Sequence, residues 1–455
     1  MFTTSWRSLL GMPFLLVTLV TAGYAPLQAQ SVRVPNTPVG RVLGVWLDAF
    51  NSGDTSAMNA YIQRYEPGNV FPLMIERRRR TGGFDLIGIE RSEPHHLEFV
   101  VKTRVPDGQN SFGYLDVAGD DEPRVVDFPP LFTNLGVGGT TAKLVIDATQ
   151  RRDAVMGAAA QLDSFYVFPE VAKRIGDSLR VRLARGAYDR HTNGVMFAKT
   201  LNDDVREISH DKHMSVEYSP NPVPARPMAP PPPPTPAQRQ QILTQLNAQN
   251  CGFQKIERLD GNIGYLRFNF FPDPEYCGGT ASAAMTLVAA TNALIVDLRD
   301  NGGGTPAMVA YLSSYLFDDS THLNDLWVRP TGTTTQWWTT PSVPGTKFGR
   351  NKPVFVLTSS RTFSGAEEYS YDLQVLKRAT IVGETTGGGA HPVTGRRASE
   401  HFMIGVPAAR AINPRTHTNW EGVGVEPDVK IPASDALSKA IQLALARLGG
   451  SPPPR

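Results

Sequence analysis

The sequence predicts an α/β core in the C-terminal half of the chain, preceded by a helical segment and by a small α+β unit. Three observations carry this reading. After Cys251, near-continuous apolar runs such as "NALIVDL" (292–298) alternate with helical stretches, the pattern of a mostly parallel sheet with helices packed on it. Residues 141–208 space their apolar side chains by three and four, as helices do. Residues 33–135 place helices ahead of several alternating strand-like runs, which suits a curved antiparallel sheet.

Taken in order, the chain opens with "MFTTSWRSLLGMPFLLVTLVTAGYAPLQAQ". One basic residue, Arg7, precedes an apolar stretch from Leu9 to Ala22, and small residues surround Ala25 and Ala29. That is the anatomy of a cleaved secretory signal over 1–29, and Pro13 within a short apolar core argues against a permanent anchor. No later apolar stretch is long enough to span a bilayer, so the mature chain is expected to be soluble, either periplasmic or secreted.

Val39, Val42, Leu43, Trp46, Ala49 and Phe50 follow at helical spacing, and Asn51-Ser-Gly-Asp ends that helix with Asp54 placed to cap the next. Strand-like runs such as "HHLEFVVKTRV" and "SFGYLDVAG" complete a unit over 33–135. With its "AFNSGD" it resembles the cone-shaped domain of ketosteroid isomerase and nuclear transport factor two. Such cones often hold a pocket, but an appended cone can equally serve packing. A helical segment spans 141–218, and the proline-rich 219–238 reads as a semi-extended linker. The α/β core then occupies 239–448, ending in the amphipathic helix "SDALSKAIQLALARLG".

Composition narrows the function. The 455 residues suggest about three domains. With 41% hydrophobic and 19% charged residues, the chain is globular rather than disordered. A net charge of +2 predicts no nucleic-acid partner, and the run Arg77–Arg80 reads as a solvated face. The two cysteines, Cys251 and Cys277, read as one disulfide in an oxidising compartment. Neither has a neighbour that would lower its pKa, so neither is expected to be a nucleophile.

Two stretches could carry chemistry. "DLRDNGGG" (297–304) lies between a buried strand and a helix, and its glycines leave backbone N–H groups open to an anion or oxyanion. No Lys-Ser/Thr follows, which disfavours a nucleotide P-loop. In "TSSRTFSGAEE", Ser364 precedes a helix and Glu367 follows three residues on, a capping box. Ser364 is thus a cap on the plainest reading. It is also a hydroxyl at a helix N-terminus, where the dipole favours developing negative charge. On sequence alone, Ser364→Thr should keep the cap while its added methyl obstructs attack on a carbonyl.

"IVDLRDNGGG", "VLTSSRTFSGAEE", "IVGETTGGG" and "NWEGVGVEPDV" stand in the order and spacing of the tail-specific, or C-terminal processing, serine peptidases. Over about 141–445 the chain resembles the branch of the tricorn core and interphotoreceptor retinoid-binding protein. The resemblance implies a ClpP/crotonase-like catalytic core with a helical N-terminal subdomain, no cofactor and no metal. It also implies a peptide or unfolded-protein substrate, and it leaves the oligomeric state open, a homo-oligomer included. The processing branch takes a lysine 25 residues after the nucleophile as base and a glutamine four further on, where this chain has Gly389 and Val393. The serine–lysine dyad is therefore absent. The tricorn branch uses serine, histidine and glutamate. These match Ser364, His213 in "SHDKHMSVEY" and Glu421, 57 residues beyond the serine, while Lys212 replaces the serine that precedes the family's histidine. The implied roles are Ser364 as nucleophile, His213 as base, and Glu421 as relay or substrate contact. Gly365 with Gly302 or Gly303 is expected to hold the oxyanion, and His391, then His210, are rival bases. No PDZ-like stretch separates the helical segment from the core, so tail recognition by such a module is not expected. The competing readings are a non-catalytic binder of apolar ligands or peptides on the same fold, and a function seated in the cone.

Overall fold

Capping chemistry sets the first elements. The computed structural model describes residues 32–66, 71–129, 131–225 and 233–449; the expected signal segment 1–29 and the middle of the expected proline-rich linker lie outside the described residues. Helix α1 (Pro38–Ser52) starts on the Thr37 hydroxyl, which accepts from Gly40 N–H at 3.1 Å, and stops at Gly53 with φ +69°. Asp54 caps α2 (Thr55–Tyr65) by accepting from Ser56 N–H at 2.8 Å. Helix α3 (Phe71–Thr81) leads into strands β1 (Phe84–Ser92), β2 (His96–Thr103), β3 (Gln109–Ala118), β4 (Arg124–Asp127) and β5 (Thr133–Val137). These form one antiparallel sheet in the order β1-β2-β3-β4, with β5 also paired to β3.

The alternating apolar face of this sheet and the helices enclose Trp46, Phe50, Phe84 and Phe99. Arg77 departs from the expected solvated run. Its guanidinium lies 4.0 Å from the centroid of Phe132 and 5.7 Å from that of Trp46. Burial lowers its pKa to about 10, opposed by Glu66. Closure of the sheet against α1 turns this residue inward; Arg79 and Arg80 remain exposed.

Helices α4 (Ala148–Phe165), α5 (Pro169–Ala184) and α6 (Gly194–Ser209) pack their apolar stripes on one another around Leu162, Ile175 and Leu201. Strand β6 (Ser215–Tyr218) follows them, and then α7 (Pro236–Ala248). Helix α7 begins inside the stretch read as linker, because Thr235 and Gln238 form a capping box there.

The core alternates as expected: β7 (Phe253–Leu259), β8 (Ile263–Phe268), α8 (Pro274–Val288), β9 (Ala293–Asp297), α9 (Pro306–Ser313), then the hairpin β10 (His322–Val328) and β11 (Thr333–Trp338). After it come β12 (Val354–Thr358), α10 (Gly365–Val375), β13 (Thr380–Gly383), β14 (Val393–Arg397), β15 (Phe402–Pro407), β16 (Ala409–Ile412), β17 (Val429–Lys430) and α11 (Ala436–Arg447). The central sheet runs β17-β13-β12-β9-β8-β7, parallel except for the β7–β8 pair. All five residues of β9 and of β12 are buried, which explains the four consecutive apolar residues that each carries before Asp297 and Thr358. Helices α8, α9 and α10 cover one face. On the other, Ala436, Ala440 and Ala444, four apart, let α11 approach Ile295, Phe355 and Val382 closely. Cys251 and Cys277 are joined in a disulfide that ties the start of β7 to α8.

One long-range pairing matters most for the site. The segment 402–412 divides between two sheets. Strand β15 lies between β14 and β6, while β16 joins β10. The β15–β6 pair sets Ser215 opposite Gly405 and so delivers the end of the helical segment to the core. Among the described residues no helix is long and apolar enough to cross a membrane.

Candidate active site

The loop between β9 and α9 is held from inside. Asn301 is fully buried; its Nδ2 donates to the Phe268 carbonyl at 3.0 Å and its Oδ1 accepts from Gly303 N–H at 2.9 Å. Gly302 N–H donates to the Asn269 carbonyl at 3.2 Å. The amides of Gly302 and Gly303, expected to face an oxyanion, are therefore spent within the protein. Gly304 and Gly365 instead line a cleft of about 260 Å³ together with Ser364 and His213. Glycine is required at 303, where φ is +98° and a Cβ would meet Ser364 Cβ and Gly365 N at 2.7 Å.

Ser364 sits at φ +54°, ψ −122°, a turn geometry that strains any residue with a Cβ. The N–H groups of Glu367 and Glu368 both reach the Ser364 carbonyl, at 2.8 and 3.0 Å, so that carbonyl serves the first turn of α10. Glu367 does more than close a capping box. Its carboxylate accepts from Ser364 N–H (2.8 Å), Gly389 N–H (2.9 Å), Gly388 N–H (2.6 Å) and the Thr386 hydroxyl (2.5 Å). One buried carboxylate thus fixes the serine turn against the "TTGGG" loop. Burial raises its pKa, and these four donors oppose the rise.

His213 arrives from the helical segment. Helix α6 ends at His210, an exposed left-handed cap at φ +54° that does not reach the cleft. Asp211 then accepts from the His213 N–H at 3.0 Å, and the His213 ring packs on Phe363 with centroids 4.7 Å apart. Its Nδ1 is buried, has no hydrogen-bond partner and lies 4.0 Å from Asp211 Oδ1. Burial lowers the imidazole pKa below the ordinary 6.5, opposed by Asp211 and assisted by His391.

Behind His213, His391 Nδ1 bridges two carboxylates, Asp211 Oδ2 at 3.2 Å and Glu421 Oε2 at 3.3 Å. His391 is 1% exposed and does not line the cleft, which separates it from Ser364. Glu421 also accepts from Ala390 N–H at 2.6 Å, and burial followed by Asp211 pushes its carboxyl up to about 7. The donor atoms of Asp211, His391 and Glu421 fall within 4.8 Å of one another, a spacing a cation could use, although His391 already pairs with both acids. Lys212, where the family pattern has serine, donates to the Gly387 carbonyl at 2.5 Å. Of the residues named from sequence, Ser364, His213 and Gly365 share one cleft, with His391 and Glu421 behind it. Asp211 and the tethering role of Glu367 were missed, though "SHDKH" and the capping box hold them in plain view.

Residues 262–431 match the profile of peptidase family S41, and residues 140–247 that of the N-terminal domain of peptidase S41 in eukaryotic IRBP. The chain belongs to peptidase family S41. A tricorn protease homolog of Streptomyces coelicolor is 26% identical over 231 residues, 48% of this chain and 17% of that protein. The chloroplastic carboxyl-terminal-processing peptidase 2 of Arabidopsis thaliana is 26% identical over 181 residues, 38% of this chain and 32% of that protein. The chain thus spans less than a third of the length of either. The solved tricorn protease superposes with a TM-score of 0.44 at 13% identity, over 80% of this chain and 42% of that one. The S41 match over 262–431 holds both the glycine loop and the Ser364 turn, and His213 lies within the N-terminal-domain match over 140–247.

Proposed function

We propose that this S41 chain is an exported serine peptidase that hydrolyses peptide bonds through an acyl-enzyme on Ser364, with His213 as general base. The observation that carries the reading is the shared cleft, lined by Ser364 on its strained turn, by the largely buried His213, and by Gly304 and Gly365. Ser364 Oγ attacks the peptide carbonyl carbon while His213 takes its proton. Gly304 and Gly365 N–H groups, at the positive end of α10, stabilise the oxyanion. His213 then gives the proton to the leaving amine, and water, deprotonated by the same ring, releases the acyl group. Asp211 orients His213, and Glu421 with His391 holds Asp211; this arrangement replaces the serine that Lys212 displaces. The signal anatomy of 1–29 and the disulfide support an oxidising, extracytoplasmic location.

A fluorophosphonate probe tests the nucleophile directly. It should add to Ser364 alone, with the modified peptide identified by mass spectrometry. Wild-type protein that neither takes up the probe nor cleaves an unfolded polypeptide would make this chain a binder on a peptidase fold. The pH profile gives a second test. His213 accepts protons only when neutral, and its pKa lies below 6.5. The acid limb of kcat/KM should therefore fall only below that value. A limb centred well above 6.5 would assign the base to another group.

A further inference from the structure

Glu368 lies one turn along α10 from Ser364 and lines the same cleft, although it is only 4% exposed. Its Oε1 accepts from Asn324 Nδ2 at 3.2 Å. One turn deeper, Asp372 accepts from Asn413 Nδ2 at 3.1 Å. Asp372 Oδ2 and Asn324 Oδ1 have no hydrogen-bond partner, and both residues are fully buried. Among the described residues, no Lys or Arg forms an ion pair with either carboxyl. Burial pushes Glu368 up to about 7 and Asp372 well above its ordinary value, as befits carboxyls without a counter-charge. Buried acceptors of this kind are normally satisfied, so the cluster is short of donors.

The rest of this corner is apolar: Pro306, Leu326, Ala411 and Trp420 line the cleft with Glu368. Such a wall suits the methylene stem of a long cationic side chain, with the acceptors at its end. Four residues of helix rise about 6 Å, within the reach of a lysine or arginine whose backbone is held at Ser364. We propose that Glu368, backed by Asp372 and Asn324, selects substrates with lysine or arginine beside the scissile bond. This rests on the nucleophilic role of Ser364 and adds the substrate class. A neutral side chain of equal length would fill the wall and leave the acceptors unpaired, which costs more than a lost contact.

The test compares kcat/KM for paired peptides that differ only in lysine or norleucine at the residue flanking the cut, with fluorophosphonate labelling run in parallel. Wild type should favour lysine by about 10- to 100-fold, the range of a hydrogen bond to a charged group. In Glu368→Gln the ratio within that variant should approach one, a readout that cancels any general loss of activity. n-Butylammonium should also inhibit the wild type competitively where n-butanol does not, a measurement independent of how the variant folds. Labelling of Ser364 with a wild-type ratio at or below one, or with equal inhibition by the two small molecules, overturns this inference and leaves the peptidase reading intact. A preference unchanged in labelled Glu368→Gln overturns it as well. Absence of both labelling and cleavage overturns the two together.

Discussion

His213→Ala should lower kcat/KM by about 10²- to 10⁴-fold, the usual worth of a positioned general base, and leave thermal stability close to wild type. The ring lies at the cleft wall against Phe363 with its Nδ1 unpartnered, so truncation strands no hydrogen bond. Combined with Ser364→Ala, it should add little, because groups acting as one unit are not additive. His391→Ala gives the contrasting result. That ring stands between buried Asp211 and largely buried Glu421, and its removal leaves their carboxyls facing each other. Breaking a buried pair in this way costs about 3–5 kcal/mol, so His391→Ala should first show as a lowered Tm. Purified variants assayed on one peptide and melted in parallel decide the matter. If His391→Ala abolishes turnover at an unchanged Tm while His213→Ala stays active, the assignment of the base is wrong.

Local chemistry was legible in the sequence where it depends on neighbours along the chain. The buried strands β9 and β12 announce themselves as near-continuous apolar runs, and Asp54 caps α2 as its position suggests. Pairings across the chain were not legible from periodicity. His213 comes to line the same cleft as Ser364 because β6 joins β15, 187 residues on from Ser215 to Phe402, and only the family resemblance pointed there. The glycine loop failed in a more local way. The Asn301 side chain and the Asn269 carbonyl from a neighbouring strand end take up the Gly303 and Gly302 amides, while Gly304 lines the cleft. Arg77 illustrates the same limit, since four consecutive arginines give no sign that the first is turned into an aromatic interior.

Ser364→Gly should abolish hydrolysis while holding or raising Tm, which separates a nucleophile from a cap. At φ +54°, ψ −122° the serine occupies a region that glycine adopts freely, and such strain costs about 1–3 kcal/mol. Glycine relieves that strain. It gives back about 0.5–1 kcal/mol through a freer unfolded chain, and as an N-cap it is weaker than serine by only a few tenths. The balance lies between neutral and mildly stabilising. The chemical loss is far larger, since removing the attacking oxygen forfeits most of a rate enhancement of at least about 8 kcal/mol. The backbone also revises the expectation for threonine. A β-branched side chain is a poor fit at positive φ, so Ser364→Thr should lose stability as well as turnover and is the less discriminating variant. Glu367 still receives Gly388, Gly389 and Thr386 in either variant, so the loop beside the turn stays tethered. Melting curves and turnover of an unfolded polypeptide by wild type, Ser364→Gly and Ser364→Thr provide the measurement. A Ser364→Gly variant that melts several degrees lower, with hydrolysis intact, would mean that the strained turn exists for the helix and not for the chemistry.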